Sequence, residues 1–277
     1  MSIRDHLRER STGENRGDRI VREFLEQLDM YYSHPKSNFY IERIEREFYE
    51  QKLQHLTFQP YPNDGLVTFG ASGTDKCDRE VYYRNQKEKP EKREDIPFRG
   101  RQRRQGTAIV DYVQLDLLHM PERLGDKAKF TVARTKSGEF AFEDAVKHRA
   151  VFTVRLPDGY VCKFAITAKP DGILEYEGRR LLFEYKTKAT GIKSMNQKLD
   201  YSGPDGHHID QVVAESLVFG IREGIILYES TQKPSWFSDE EKKSVSKGQK
   251  TWIDGKPLAD LRAFYFSVTA ANLLANS

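Results

Sequence analysis

Asp171, Glu184 and Lys186 are residue types that can together hydrolyse a phosphate ester, and their spacing sets them side by side. They lie in the stretch Lys169-Pro170-Asp171-Gly172-Ile173-Leu174-Glu175-Tyr176-Glu177-Gly178-Arg179-Arg180-Leu181-Leu182-Phe183-Glu184-Tyr185-Lys186. Apolar residues at Ile173 and Leu174, and again at Leu181, Leu182 and Phe183, flank Glu177-Gly178. That pattern predicts two strands joined by a two-residue turn. With Tyr176 facing Arg179, Asp171 faces Glu184 across the pair, with Cβ atoms about 4.5–5.5 Å apart. Strand alternation puts Lys186 on the same face as Glu184. Two facing carboxylates repel each other and destabilise a sheet. A divalent cation between them removes that cost, because Mg²⁺ and Mn²⁺ take carboxylate oxygens. A lysine beside the cation would orient a water or balance the charge that develops in phosphodiester hydrolysis. The same residues also fit an ordinary surface hairpin with scattered charges.

The hairpin needs a scaffold, and hydrophobic periodicity supplies one. Ile20, Val21, Phe24, Leu25 and Leu28, then Ile41, Ile44 and Phe48, recur at helical spacing and predict two helices between Asp18 and about Leu56. Residues 1 to about 16 read as a frayed start. Pro60, Pro62, Gly65, Gly70 and Gly73 mark a loop over 57–75 with one short strand at Leu66–Phe69. A short helix is expected from Asp75 to Gln86, a charged loop over 87–97, and a long helix from near Arg103 to His119. Strands follow at about 128–134, 148–156, 160–168, 171–176 and 180–187, the fourth being open to reading as a continuation of the third. A helix from His208 to about Phe219 and a buried strand at Gly224–Tyr228 come next. A polar, loop-like segment over 231–256 holds Trp236, Phe237 and Trp252, and a strand then helix from Phe264 to Leu274 closes the chain. The order implies an α/β protein: a mixed central sheet with helices on both faces and an N-terminal helical annex. The expected division is 1–98 as helical and loop region and 99–277 as core with a C-terminal extension.

The chain has 277 residues, 38% hydrophobic and 31% charged, enough to bury a substantial core. No apolar run reaches bilayer-spanning length and the start lacks a signal-peptide core, so a cytoplasmic protein without membrane contact is expected. Two cysteines, Cys77 and Cys162, are too few for a disulfide scaffold or a four-cysteine cluster. A net charge of +3 is compatible with nucleic-acid binding without arguing for it. Local clustering says more. Arg99, Arg101, Arg103 and Arg104 fall together, and Lys188, Lys193 and Lys198 follow Lys186. Flanking one site, they favour a polyanionic substrate over a merely solvated surface.

Asp171 and Glu184-Tyr185-Lys186 on consecutive strands, followed by a helix bearing Gln211, resemble the PD-(D/E)XK nuclease superfamily. Within it the similarity is to the RecB-like and phage-type exonucleases, relatives of the CRISPR-adaptation nucleases. The resemblance covers roughly residues 100–230, and less securely Cys77-Asp78-Arg79-Glu80-Val81-Tyr82-Tyr83. It implies a restriction-endonuclease-like fold and a Mg²⁺- or Mn²⁺-dependent deoxyribonuclease. An exonuclease of DNA repair, recombination or phage DNA processing is the setting it suggests, with DNA as substrate and a recombination or replication protein as a possible partner. By family habit Asp171, Glu184 and the Tyr185 carbonyl hold metal, Lys186 positions water, and Gln211 braces the lysine or the DNA.

Three departures stand out. The family's Gly-x-x-x-His pattern reads here as Gly106 leading to Val110, with Asp111 next, so Asp111 takes a shifted ligand role or that ligand is absent. Glu215 stands where a tyrosine usually follows the glutamine. The cysteines for an iron–sulfur cluster are missing, so none is expected. Glu143-Asp144 is a further source of a carboxylate, against a surface role. His207-His208 beside Asp210 reads more naturally as a helix start than a metal pair, and Trp236 and Trp252 as buried loop residues rather than base-stacking ones. An inactive nuclease-fold module that binds DNA or a partner remains the alternative, as does an unrelated scaffold with a structural hairpin.

Overall fold

The longest described strand is the one that carries Glu184 and Lys186. The computed structural model describes residues 15–37, 39–57, 61, 64–74, 76–86, 88, 96–233, 251–253 and 256–269. Two helices open it, α1 (Arg16–Tyr32) and α2 (Glu42–Gln54), then β1 (Thr68–Gly70), α3 (Asp78–Asn85) and the long α4 (Pro97–Leu124). Next come β2 (Phe130–Val132), the short α5 (Glu143–Val146), β3 (His148–Arg155), β4 (Val161–Ala168), β5 (Gly172–Tyr176) and β6 (Arg179–Gly191). Helices α6 (Ile192–Ser202) and α7 (Gly206–Phe219) precede β7 (Glu223–Gln232), β8 (Thr251–Ile253), β9 (Lys256–Leu258) and β10 (Leu261–Ser267). The frayed start over 1–14, the core of the charged loop at 89–95, Trp236, Phe237 and a helix to Leu274 fall outside the described residues. Part of the segment read as loop forms the small β8–β9 ladder.

The class is mixed α/β, with two mixed sheets flanked by helices rather than one. The main sheet has the order β10-β7-β6-β5-β2, parallel only between β6 and β7. The smaller sheet is β1-β4-β3. Thus β4 and β5 are not one strand. Buried Pro170 stands between them without an N–H to continue a ladder, and its carbonyl accepts from the Glu143 N–H instead, at 3.2 Å.

Alternation along β6 divides the core. Leu181, Phe183 and Tyr185 face α1, α2 and α4 through Ile20, Phe24, Leu28, Phe48 and Leu117. Leu182 faces α6 and α7 through Met195, Leu199 and Val212. Two buried glutamines tie the first helices to the sheet. Gln27 of α1 both donates to and accepts from the Phe130 backbone, each at 2.8 Å, and Gln51 of α2 does the same to Phe140, at 2.9 and 2.7 Å. Each amide completes a backbone pair that no strand reaches.

At the start of β7, Gly224 lies where a Cβ would sit 2.5 Å from the Leu182 carbonyl oxygen and overlap the Phe266 ring. Gly224→Ala is therefore expected to destabilise the protein by about 1–3 kcal/mol, the usual cost of overpacking. A urea titration against the parent checks this, and an unchanged midpoint would contradict it. No described helix is long and apolar enough to cross a membrane.

Candidate active site

The β5–β6 hairpin closes through Glu177 at φ 49° and Gly178 at φ 71°, both left-handed as a type I′ turn requires. Tyr176 pairs with Arg179 and Gly172 with Phe183, so the register carried one step further sets Asp171 opposite Glu184. Asp171 precedes β5 and is held at both ends. Its Oδ2 accepts the Tyr185 N–H at 2.7 Å, and its carbonyl accepts from the Gln114 side chain of α4 at 2.9 Å. Glu184, only 2% exposed, points toward α7. There its Oε1 accepts from Lys186 Nζ at 2.5 Å and from Gln211 Nε2 at 2.7 Å. Gln211 Oε1 accepts a second Lys186 N–H at 3.0 Å, and Gln211 Nε2 also reaches Glu215 Oε1 at 3.0 Å. The helical spacing of Gln211 and Glu215 stacks them on the face of α7 turned toward β6.

The electrostatics of this group are unbalanced. Burial, and then the Glu184 charge, pushes the Asp171 carboxyl well above the usual carboxylate range. Burial raises Glu184 too, against the pull of Lys186. Glu215 is also driven well up, by burial and then by Glu184. Glu143 adds its negative field to Asp171. It is held at φ 35°, one of two described non-glycine residues at positive φ, the other being Glu177 of the turn. Backbone strain of this kind concentrates at functional sites. Glu184 Oε2 and Glu215 Oε2 are buried with no hydrogen-bond partner. Asp171, Glu184 and Glu215 all feel the Lys186 ammonium, and the unsatisfied buried oxygens of the two glutamates are of the kind a hard divalent cation takes.

Other residues singled out in the sequence lie elsewhere. Asp111 forms an ion pair with Lys52 of α2 and does not join the cluster. The Tyr185 ring points to the opposite face of the sheet, where its hydroxyl donates to Glu229, while its backbone lies beside Asp171. Arg99, Arg101, Arg103 and Arg104 are exposed on the first turns of α4. A shallow cleft there is lined by Phe98, Arg101, Gln102, Arg104, Gln105 and Ala108. Gly106, just beyond, sits over Thr187 of β6. Lys188 is half-buried and Lys193 exposed on α6.

Asp205, His207 and His208 offer ligand atoms within 4.8 Å of one another. Their groups are already engaged: Asp205 binds Lys188 and Lys198, each at 2.5 Å, and against the opposing effect of burial the two ammonium groups hold its carboxyl well below the usual range. His208 Nδ1 meets the Tyr228 hydroxyl at 2.7 Å, and burial lowers the imidazole to about 3. Two lysines thus occupy the place a cation would take. Gln114 was not foreseen from the sequence. It is 1% exposed on an apolar helix face, and only that mismatch of polarity and periodicity marks it.

No sequence-family model matches the chain, and no curated protein matches it in sequence. Among solved structures, the chain is similar to SSO0001, at 16% identity and a TM-score of 0.36, over 84% of this chain and 81% of that one. It is also similar to the alkaline exonuclease LHK-Exo from Laribacter hongkongensis, at 12% identity and a TM-score of 0.38, over 76% of this chain and 82% of that one.

Proposed function

We propose that this protein is a divalent-metal-dependent nuclease that hydrolyses DNA phosphodiester bonds. The observation that carries the reading is the pair of unpartnered, buried carboxylate oxygens on Glu184 and Glu215 beside Asp171, with Lys186 as the single ammonium among them. Asp171, Glu184 and the Tyr185 carbonyl would hold Mg²⁺ or Mn²⁺, which when bound lowers the pKa of a water and neutralises phosphate charge. Lys186 uses two of its three N–H donors on Glu184 and Gln211, and the third is available to a water or a phosphate oxygen. Gln211 fixes that ammonium, and Glu215 fixes the Gln211 amide in turn. The exposed arginines of α4 would guide the polyanion.

Linear and circular DNA incubated with the parent protein in Mn²⁺ are expected to yield products that disappear in EDTA. Glu184→Gln should cut about 10³-fold more slowly. Equal rates for the two proteins would overturn the reading, and products from circles would separate internal from end-directed cleavage. A second reading is favoured by the Asp111–Lys52 pair, which removes the acid nearest the position of the family's histidine. In it the same fold binds DNA or a partner without cutting. A calorimetric Mn²⁺ titration separates the two, since the inactive module would show no site that vanishes in Glu184→Gln.

A further inference from the structure

Between Glu143 and Asp171 the chain leaves the candidate site and comes back to it as a two-stranded arm. Strands β3 and β4 pair from His148 with Ala168 at the foot to Arg155 with Val161 near the tip. Eight residues per strand give an arm about 26 Å long at the usual rise. The foot is anchored: Ala165 and Ala168 are buried, and Arg149 makes two 2.8 Å bonds to Asp64. The distal half is not. Val154 and Leu156 are each 42% exposed and Tyr160, in the turn, 65%. Phe152 and Phe164 are half-buried and stack at 5.8 Å, with Phe69 of β1 edge-on to Phe164 at 5.6 Å.

Charge decides what this surface suits. Residues 147–169 hold five Lys or Arg against one acid, Asp158. Arg149 is paired with Asp64 and Lys169 with Asp144 at the foot, so Arg155 and Lys163 are the basic residues of the distal half. A second copy of the same arm would be repelled, while a polyanion would be attracted. A duplex offers an arm only its phosphates, with its bases already paired and stacked. A single strand also offers ring faces, which exposed aromatic side chains bind without sequence preference.

We propose that the outer end of the β3–β4 arm holds a single-stranded DNA segment leading into the site, with Tyr160 of the turn against a base and Arg155 and Lys163, which share one face of the ladder, on phosphates. Where the scissile phosphate lies rests on the nuclease reading above; the affinity of the arm for DNA does not.

Fluorescence anisotropy in EDTA, with labelled oligothymidylate, oligouridylate and blunt duplex DNA, tests it on the full chain. The parent should bind oligothymidylate more tightly than either other probe. Tyr160→Ala should weaken that binding about 10-fold, within the range for losing one stacked base. Arg155→Gln with Lys163→Gln should lower the slope of log affinity against log salt by about 1.4, for two lost phosphate contacts on a single strand. All three side chains are exposed, and unchanged circular dichroism would confirm that the variants fold. Parent-like binding by both variants, or parental preference for the duplex or for oligouridylate, would overturn the proposal. Arm-dependent binding by a parent that fails to cut DNA in Mn²⁺ would support the arm while rejecting the nuclease reading.

Discussion

Asp171→Asn protein is expected to lose DNA cleavage by about 10³-fold or more and yet, with metal withheld, to unfold at a higher temperature than the parent. Asparagine keeps a side-chain oxygen for the Tyr185 N–H, which Asp171 now accepts at 2.7 Å. It removes a carboxyl that burial and Glu184 push well above its ordinary range. Relieving one buried repulsion is worth about 1 kcal/mol, or roughly 2–4 °C for a chain of this size. A residue with a purely structural role would move the two readouts together, because its loss would weaken the fold that supports activity. Thermal unfolding in EDTA, measured beside a Mn²⁺ cleavage assay, separates the cases. Parental cleavage, or a lower unfolding temperature, would remove Asp171 from the proposed machinery.

The second large effect is the stabilisation conferred by Mn²⁺, and its growth with pH. Asp171, Glu184 and Glu215 all have raised folded pKa values, with burial the first cause in each. For acids raised in this way, the stability they contribute is complete below their unfolded values of about 4 and is lost as pH climbs through the folded ones. The metal needs the ionised carboxylates, so its binding strengthens over the same window. The difference in unfolding temperature between Mn²⁺ and EDTA should be small at pH 5 and widen toward pH 8. At a metal concentration about 100 times the dissociation constant it corresponds to about 2.7 kcal/mol, roughly 5–10 °C. His208, lowered to about 3, acts in the other direction, costing stability as pH falls below its unfolded value, but it does so with and without metal and cancels in the difference. A pH-independent difference in differential scanning fluorimetry, or one absent from the parent, would contradict the assignment of Asp171 and Glu184 as ligands.

The hairpin was legible because three local signals agreed: apolar runs, a Glu-Gly turn and a period of two. Local agreement of that kind fixes register without any tertiary information. Helix α7 was legible for the same reason, through Val212 and its apolar neighbours. Helix α6 was missed, although Ile192, Met195 and Leu199 recur at helical spacing, because the lysines between them read as a charge track. The separation of β4 from β5 hangs on Pro170 and a hydrogen bond from Glu143, a contact between segments that no window of sequence reveals. The same holds for Lys52 with Asp111 and for Gln114 with Asp171: long side chains on helices choose partners only once the helices are packed.

Gln27 and Gln51 give the opening helices an importance beyond filling space. Their amides take the part of a missing neighbour for Phe130 and Phe140, so that the margin of the main sheet is finished by side chains instead of by another strand. A fragment beginning near residue 99 would present those peptide groups bare, an adhesive border open to any extended chain. The opening helices are in this sense a seal on the sheet they cover.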